Sequence, residues 1–148
     1  MKSIIFLTLI FLSTTIMAAQ NELGIGAMLG NPTGLSTKYW LNEKAAVDGG
    51  FALSLGKNSD LSLHSDYLLH EKEAFFLNEV APLDLYYGLG GRIEFADDLE
   101  FGIRIPVGLA HRFKQQAVDV FGEIAPIVDF VGRLGLEIHL AIGGRFYF

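Results

Sequence analysis

The last stretch of the chain, Leu136 to Phe148 (LEIHLAIGGRFYF), constrains the fold more than any other. Leu136, Ile138, Leu140, Ile142, Phe146 and Phe148 fall on one parity, and Glu137, His139, Ala141, Gly143, Arg145 and Tyr147 on the other. Apolar residues at every second position mark a β-strand with one apolar face, because successive strand side chains point to opposite sides. The stretch is at or above the roughly 9–11 residues that a tilted strand needs to cross a bilayer. Glu137, His139 and Arg145 lie opposite the hydrocarbon, so an apolar face turned outward would leave an ionic face turned in.

Earlier segments repeat that inversion. Glu22–Gly30 is expected as the first strand, with Leu23, Ile25, Ala27 and Leu29 on the apolar side and Gly24, Gly26 and Gly30 on the other. Glycines on one strand face suggest close approach or sharp curvature. Asn31–Gly34 reads as a short turn. Leu35–Leu41 sets Leu35, Thr37, Tyr39 and Leu41 against Ser36, Lys38 and Trp40. Ala45–Leu55 sets Val47, Phe51, Leu53 and Leu55 against Asp48, Gly50, Ala52 and Ser54. In Leu61–His70 the inward set is Ser62, His64, Asp66 and His70. Glu71–Ala81 is the least regular part, and EKEAFFLNE reads as a short helical turn, a fold-back lip or a frayed extension of the strands. Leu83–Phe95 opposes its aliphatic parity with Asp84, Tyr86, Arg92 and Glu94, and the strand from Phe101 to Arg112 does so with Arg104 and Arg112. Val118–Phe130 places Asp119, Glu123 and Asp129 opposite Val120, Ile124, Val128 and Phe130. Pro106 and Pro126 lack an amide donor and predict two gaps in the ladder.

Counted this way there are eight strands, joined by links too short for crossovers, which predicts antiparallel hairpin neighbours. Eight strands close into the narrowest common barrel, whose interior is filled by side chains rather than opened as a pore. The expected fold is all-β: a closed eight-stranded antiparallel up-and-down transmembrane barrel with a charged and polar interior.

Residues 1–19 have the layout of a secretory signal peptide: Lys2, an apolar run from Ile4 to Leu12, then small residues to Ala18 and Ala19. Residues 20–148 are then one β-barrel domain. Removing the signal takes the formal charge from −6 to −7, because it carries Lys2 and no acidic residue. That acidic balance gives no nucleic-acid footprint. With no cysteine there is no disulfide framework and no thiolate metal site.

At this point the chain resembles the small eight-stranded outer-membrane barrels of Gram-negative bacteria, of the outer membrane protein A transmembrane-domain type. Leu29–Gly50 (LGNPTGLSTKYWLNEKAAVDGG) and Leu83–Ile93 (LDLYYGLGGRI) are also similar to small bacterial outer-membrane or surface proteins that bring no activity with them. The resemblance implies an outer-membrane location, contact with membrane lipid, and insertion by the barrel assembly machinery through the terminal signal at Phe146 and Phe148. One departure stands out: the links on the expected outer side are brief, whereas the longest, Glu71–Ala81, faces the periplasm. Receptor and adhesin roles that use long loops lose weight. The expected protein is a monomer without enzymatic activity, serving a structural or envelope-integrity role.

The expected interior holds Asp48, Asp66, Asp84, Glu94, Glu123 and Glu137 with Lys38, Arg92, Arg104, Arg112 and Arg145. Charges so enclosed must be paired and hydrogen-bonded, and the arginine fork can engage two carboxylates at once. Ser62, His64 and Asp66 share one strand face and are the candidate catalytic residues for an alternative, a lipid-modifying barrel hydrolase. A further alternative is a soluble periplasmic, lipocalin-like barrel with its apolar parity turned inward around a small apolar ligand. His64, His70, Asp66 and His139 offer metal-ligand chemistry, but nothing in the sequence brings them within bonding distance, so neither a metal nor a cofactor is assigned.

Overall fold

The computed structural model describes residues 22–55, 59–132 and 134–148. The expected signal peptide lies outside the described residues, as does most of the expected loop at Gly56–Asp60. Nine strands are present: β1 (Leu23–Asn31), β2 (Thr33–Trp40), β3 (Ala45–Leu55), β4 (Ser59–Phe76), β5 (Pro82–Phe95), β6 (Leu99–Arg104), β7 (Val107–Phe113), β8 (Val118–Val131) and β9 (Gly135–Tyr147). All form one antiparallel sheet in the order β4-β3-β2-β1-β9-β8-β6-β5-β7, with further ladders β4–β5 and β8–β7. Hydrogen bonds therefore lead around the molecule and back.

That path does not close evenly, because β6 and β7 divide one place between them. β5 pairs with β6 from Gly90 to Phe95 and with β7 from Asp84 to Tyr87. Opposite, β8 leaves β6 at Ile127 and takes up β7 at Ile124. The physical cause is the pair of prolines. Pro106 has no N–H, so the strand stops at Arg104. Its carbonyl still accepts from Gly88 N at 3.0 Å, and Ile105 N donates to the carbonyl of Pro126 at 2.9 Å. Two backbone bonds thus bridge the gap that the missing donors open.

The expected closed eight-stranded up-and-down barrel is accordingly corrected: the strand from Phe101 to Arg112 is two strands, the sheet has nine, and its ring of hydrogen bonds is uneven. The resemblance to small eight-stranded outer-membrane barrels rests on that closure and falls with it. The outer-membrane placement, the porin-like reading, the monomeric state, the envelope role, and contact with membrane lipid or with the barrel assembly machinery through Phe146 and Phe148 lose their ground for the same reason. Among the described residues, no helix is long and apolar enough to cross a membrane.

Strand boundaries differ from expectation chiefly at Glu71–Ala81. Most of that segment is strand: β4 runs on to Phe76, paired with β5 as far as Phe76↔Pro82. The irregularity is a register shift between Glu71 and Phe75, where Glu73 adopts a φ of 52°. Its amide donates to Asp84 Oδ1 at 2.8 Å, which holds the bulge in place. At Asn31–Gly34 the turn shrinks to Pro32 alone, and the Thr33 hydroxyl clamps it by donating to Gly30 O at 2.8 Å.

Alternation decides which side chains are enclosed. Ile25, Leu53, Leu89, Ile103, Ile138 and Phe146 are exposed, while Lys38, Asp66, Arg92, Arg104 and Arg145 are buried. A small apolar cluster of Met28, Ala52, Leu68, Tyr86, Ala110, Phe121 and Ala141 also sits inside. The interior is thus polar with an apolar band, and the lipocalin-like alternative with an inward apolar wall is reversed. Several glycines supply room for the enclosed side chains. A Cβ at Gly50 would overlap the His64 imidazole, and one at Gly90 would overlap the Asp66 carboxylate.

Candidate functional site

Three layers of charge follow one another along the interior. At the end carrying the β5–β6 and β8–β9 connections, β5 contributes Arg92, whose guanidinium meets Glu94 at 2.7 Å, Asp129 at 2.8 Å, Glu137 at 2.8 Å and Glu100 at 3.6 Å. Alternation brings Arg92 and Glu94 to one face of one strand, and β6, β8 and β9 bring Glu100, Asp129 and Glu137. His139 lies beside this group, with Nε2 3.5 Å from Glu137 Oε1.

In the middle layer, Arg104 from β6 joins Asp66 of β4 to Glu123 of β8 through short contacts to both. Tyr86 donates to the other oxygen of Glu123 at 2.9 Å. Asp48 of β3 sits directly across the ladder from Asp66, and His64 follows two residues before Asp66 on the same face. One ligand atom each from Asp48, His64 and Asp66 lies within 4.8 Å of the others. Burial raises both carboxyls, Asp66 to about 8 despite the pull of Arg104 and Asp48 to about 6 with the help of Glu123. Burial, with the positive field of Arg104, lowers His64 to about 3 and keeps its imidazole neutral.

The third layer lies at the end where β1 begins and β9 finishes. Arg145 Nε donates to Asp119 Oδ1 at 3.1 Å, and Tyr147 donates to Asp119 Oδ2 at 2.6 Å. Lys38 is enclosed by His70, Trp40 and Tyr86. Above this layer opens a cleft of about 550 Å³ lined by Glu22, Trp40, Asn42, Glu43, Lys72, Glu73, Pro82, Asp84, Arg112 and Lys114. Lys72 Nζ sits 4.0 Å over the Trp40 indole and 3.4 Å from Asp84, while the Arg112 guanidinium lies 4.2 Å over the Tyr147 ring.

Of the residues expected in the interior network, Arg92, Glu94 and Glu137 meet in the first group and Asp66, Arg104 and Glu123 in the second. Arg145 and Lys38 belong to the third layer. Asp84 and Arg112 line the cleft instead, because they stand at the strand ends, where the enclosure opens. Asp119 and Asp129 are buried partners of Arg145 and Arg92 that the expected set lacks. Their shared parity with Glu123 was the available signal.

The catalytic candidates do not assemble. Ser62 Oγ is buried without a hydrogen-bond partner, so no bond activates it toward His64, and Asp66 is engaged by Arg104. The lipid-hydrolase alternative thus lacks the nucleophile–base contact it requires. The four candidate metal ligands also separate: His70 packs with Lys38 and Trp40, His139 with Glu137, and only His64 and Asp66 come together. Asp48 completes their set through cross-strand register, which no spacing along the chain could show. In comparison with known proteins, the chain matches no family model, no curated protein and no solved structure.

Proposed function

We propose that the protein is a non-enzymatic binding protein that takes a small organic molecule bearing charges of both signs into the cleft at the Trp40 end. The observation that carries this reading is the cleft itself: about 550 Å³, within the roughly 300–1,000 Å³ typical of ligand sites, with both signs of charge around one indole. Arg112 and Lys114 supply donors for a carboxylate or phosphate, and Arg112 is the residue with a fixed fork. Glu22, Glu43 and Glu73 line the same cleft with acceptors suited to an ammonium group. Trp40 gives an apolar floor, backed by the His70 imidazole at 4.3 Å between ring centroids. A site lined by both signs of charge selects a zwitterion over a simple ion, because each end of the ligand finds a partner.

Trp40 is the only tryptophan in the chain, so its fluorescence reports on the cleft. Titration with a panel of free amino acids, betaines and phosphorylated amines should give a saturable change with one class, weakened in Arg112→Gln. Flat fluorescence and flat calorimetric heats across the panel would defeat the reading.

A further inference from the structure

We propose that Asp48, His64 and Asp66 form an interior site for one divalent transition cation of the zinc type. It lies in the middle layer and does not depend on the cleft. Its three donors come from adjacent β3 and β4, the two aspartates paired directly across the ladder, and one atom from each lies within 4.8 Å of the others.

The unsatisfied atoms point to a ligand. Asp48 Oδ1 and Asp66 Oδ1 are both buried without a hydrogen-bond partner, in residues 6% and 1% exposed. Buried carboxylate oxygens are costly to leave bare. The ion-pair pattern makes the same case: Arg92, Arg104 and Arg145 each engage carboxylates, whereas Asp48 forms no salt bridge among the described residues. Acid exceeds base at this level of the interior. A cation between the two carboxyl groups would take the place of the proton that burial holds on Asp66 and satisfy both bare oxygens.

The donor set selects the metal class. One imidazole nitrogen and two carboxylate oxygens suit zinc and its neighbours, whereas calcium takes about six to eight oxygens. Donors bound at about 2.0–2.1 Å in a tetrahedron stand about 3.4 Å apart, so the three would draw in by an ångström or so. Gly50 and Gly90 fix where they start, because the His64 imidazole and the Asp66 carboxylate rest in the spaces those glycines leave. Arg104 holds Oδ2 of Asp66, which anchors that carboxylate beside the site.

Metal-free full-length protein titrated with zinc by calorimetry, and with cobalt by visible absorption, tests the site. One equivalent should bind, and His64→Gln and Asp48→Asn should each weaken binding by roughly a hundredfold or more, given that even supporting residues around metals are worth about 10–100-fold. His139→Gln, a buried imidazole outside the cluster, should leave it unchanged. X-ray absorption on the zinc-loaded wild type covers the case of a variant that does not fold: it should show one imidazole and oxygen neighbours at about 2.0–2.1 Å. No saturable one-to-one binding, equal loss in His139→Gln, or a shell of several imidazoles would overturn the proposal.

Discussion

Lys38 Nζ lies 2.6 Å from Nε2 of His70, a buried ammonium-type group against a buried imidazole. Burial, reinforced by the field of Arg145, brings Lys38 down to about 7, while burial and Lys38 itself bring His70 down to about 2. The imidazole is then neutral and accepts at Nε2. Asp119 and Asp48 pull Lys38 the other way, and Lys72 adds to the lowering. The arrangement encloses a lysine near its point of half-charge, between the indole of Trp40 at 4.7 Å and the phenol of Tyr86 at 5.0 Å.

The burial of Lys38 sets a pH dependence. Between about pH 7 and pH 10.5 the unfolded chain holds the Lys38 proton and the folded one does not, so stability rises with pH across this window. Below about pH 7 both states are protonated and the contribution levels off at its least favourable value. Asp66, raised to about 8, gives the opposite slope until it loses its proton, so denaturant midpoints should increase from about pH 8 to about pH 9.5, short of the tyrosines' range. Lys38→Met should flatten the rise, and an equal slope in that variant would show that other groups produce it.

Arg92 gathers Glu94, Asp129 and Glu137 at hydrogen-bond distance. Arg92→Met would leave those acids together without a counter-charge, and removing one partner of a buried pair costs about 3–5 kcal/mol. Arg92→Lys should recover only part of that loss, since an ammonium lacks the fork that reaches several carboxylates. Urea unfolding of the two variants measures both losses. Similar midpoints for wild type and Arg92→Met would show that the group contributes little.

Gly50 and His64 face one another across β3 and β4, and a Cβ at position 50 would overlap the imidazole. Gly50→Ala should therefore destabilise the protein by about 1–3 kcal/mol, as overpacking does. Combining it with His64→Ala should return most of that loss, giving a coupling of opposite sign in a double-mutant cycle. Additive losses would mean that the alanine is accommodated elsewhere.

Side-chain direction is open to a chemical check, because the chain has no cysteine of its own. Ile103 is 45% exposed and Ala110 is 7% exposed. A thiol in Ile103→Cys should react readily with a small maleimide under native conditions, and one in Ala110→Cys only after unfolding. The reverse order would invert the assignment of inside and outside.

The exposed parity is apolar over most of the perimeter, from Leu29 and Leu35 on β1 and β2 to Leu140 and Ile142 on β9. The charged interior and the apolar exterior have one cause: each strand carries one ionic and one hydrocarbon parity, and enclosure selects the ionic one.

The sequence by itself determined which face each strand turns inward, though not how many strands there are. Ala45–Leu55 has the expected bounds, and Lys38, Arg92, Arg104 and Arg145 lie on the enclosed side that period-two alternation gives them. Alternation is local, so it can be read along one strand. What the tertiary structure alone decided is register and partnership: Asp48 opposite Asp66, Arg104 between Asp66 and Glu123, and Asp84 and Arg112 in a cleft rather than a closed interior. Those depend on how far one strand slides along another, which no residue spacing within a strand encodes. The same reason governs the ninth strand. Pro106 announced a gap in the ladder, but only the facing Pro126 and the bonds from Ile105 and Gly88 turned that gap into two strands sharing one place.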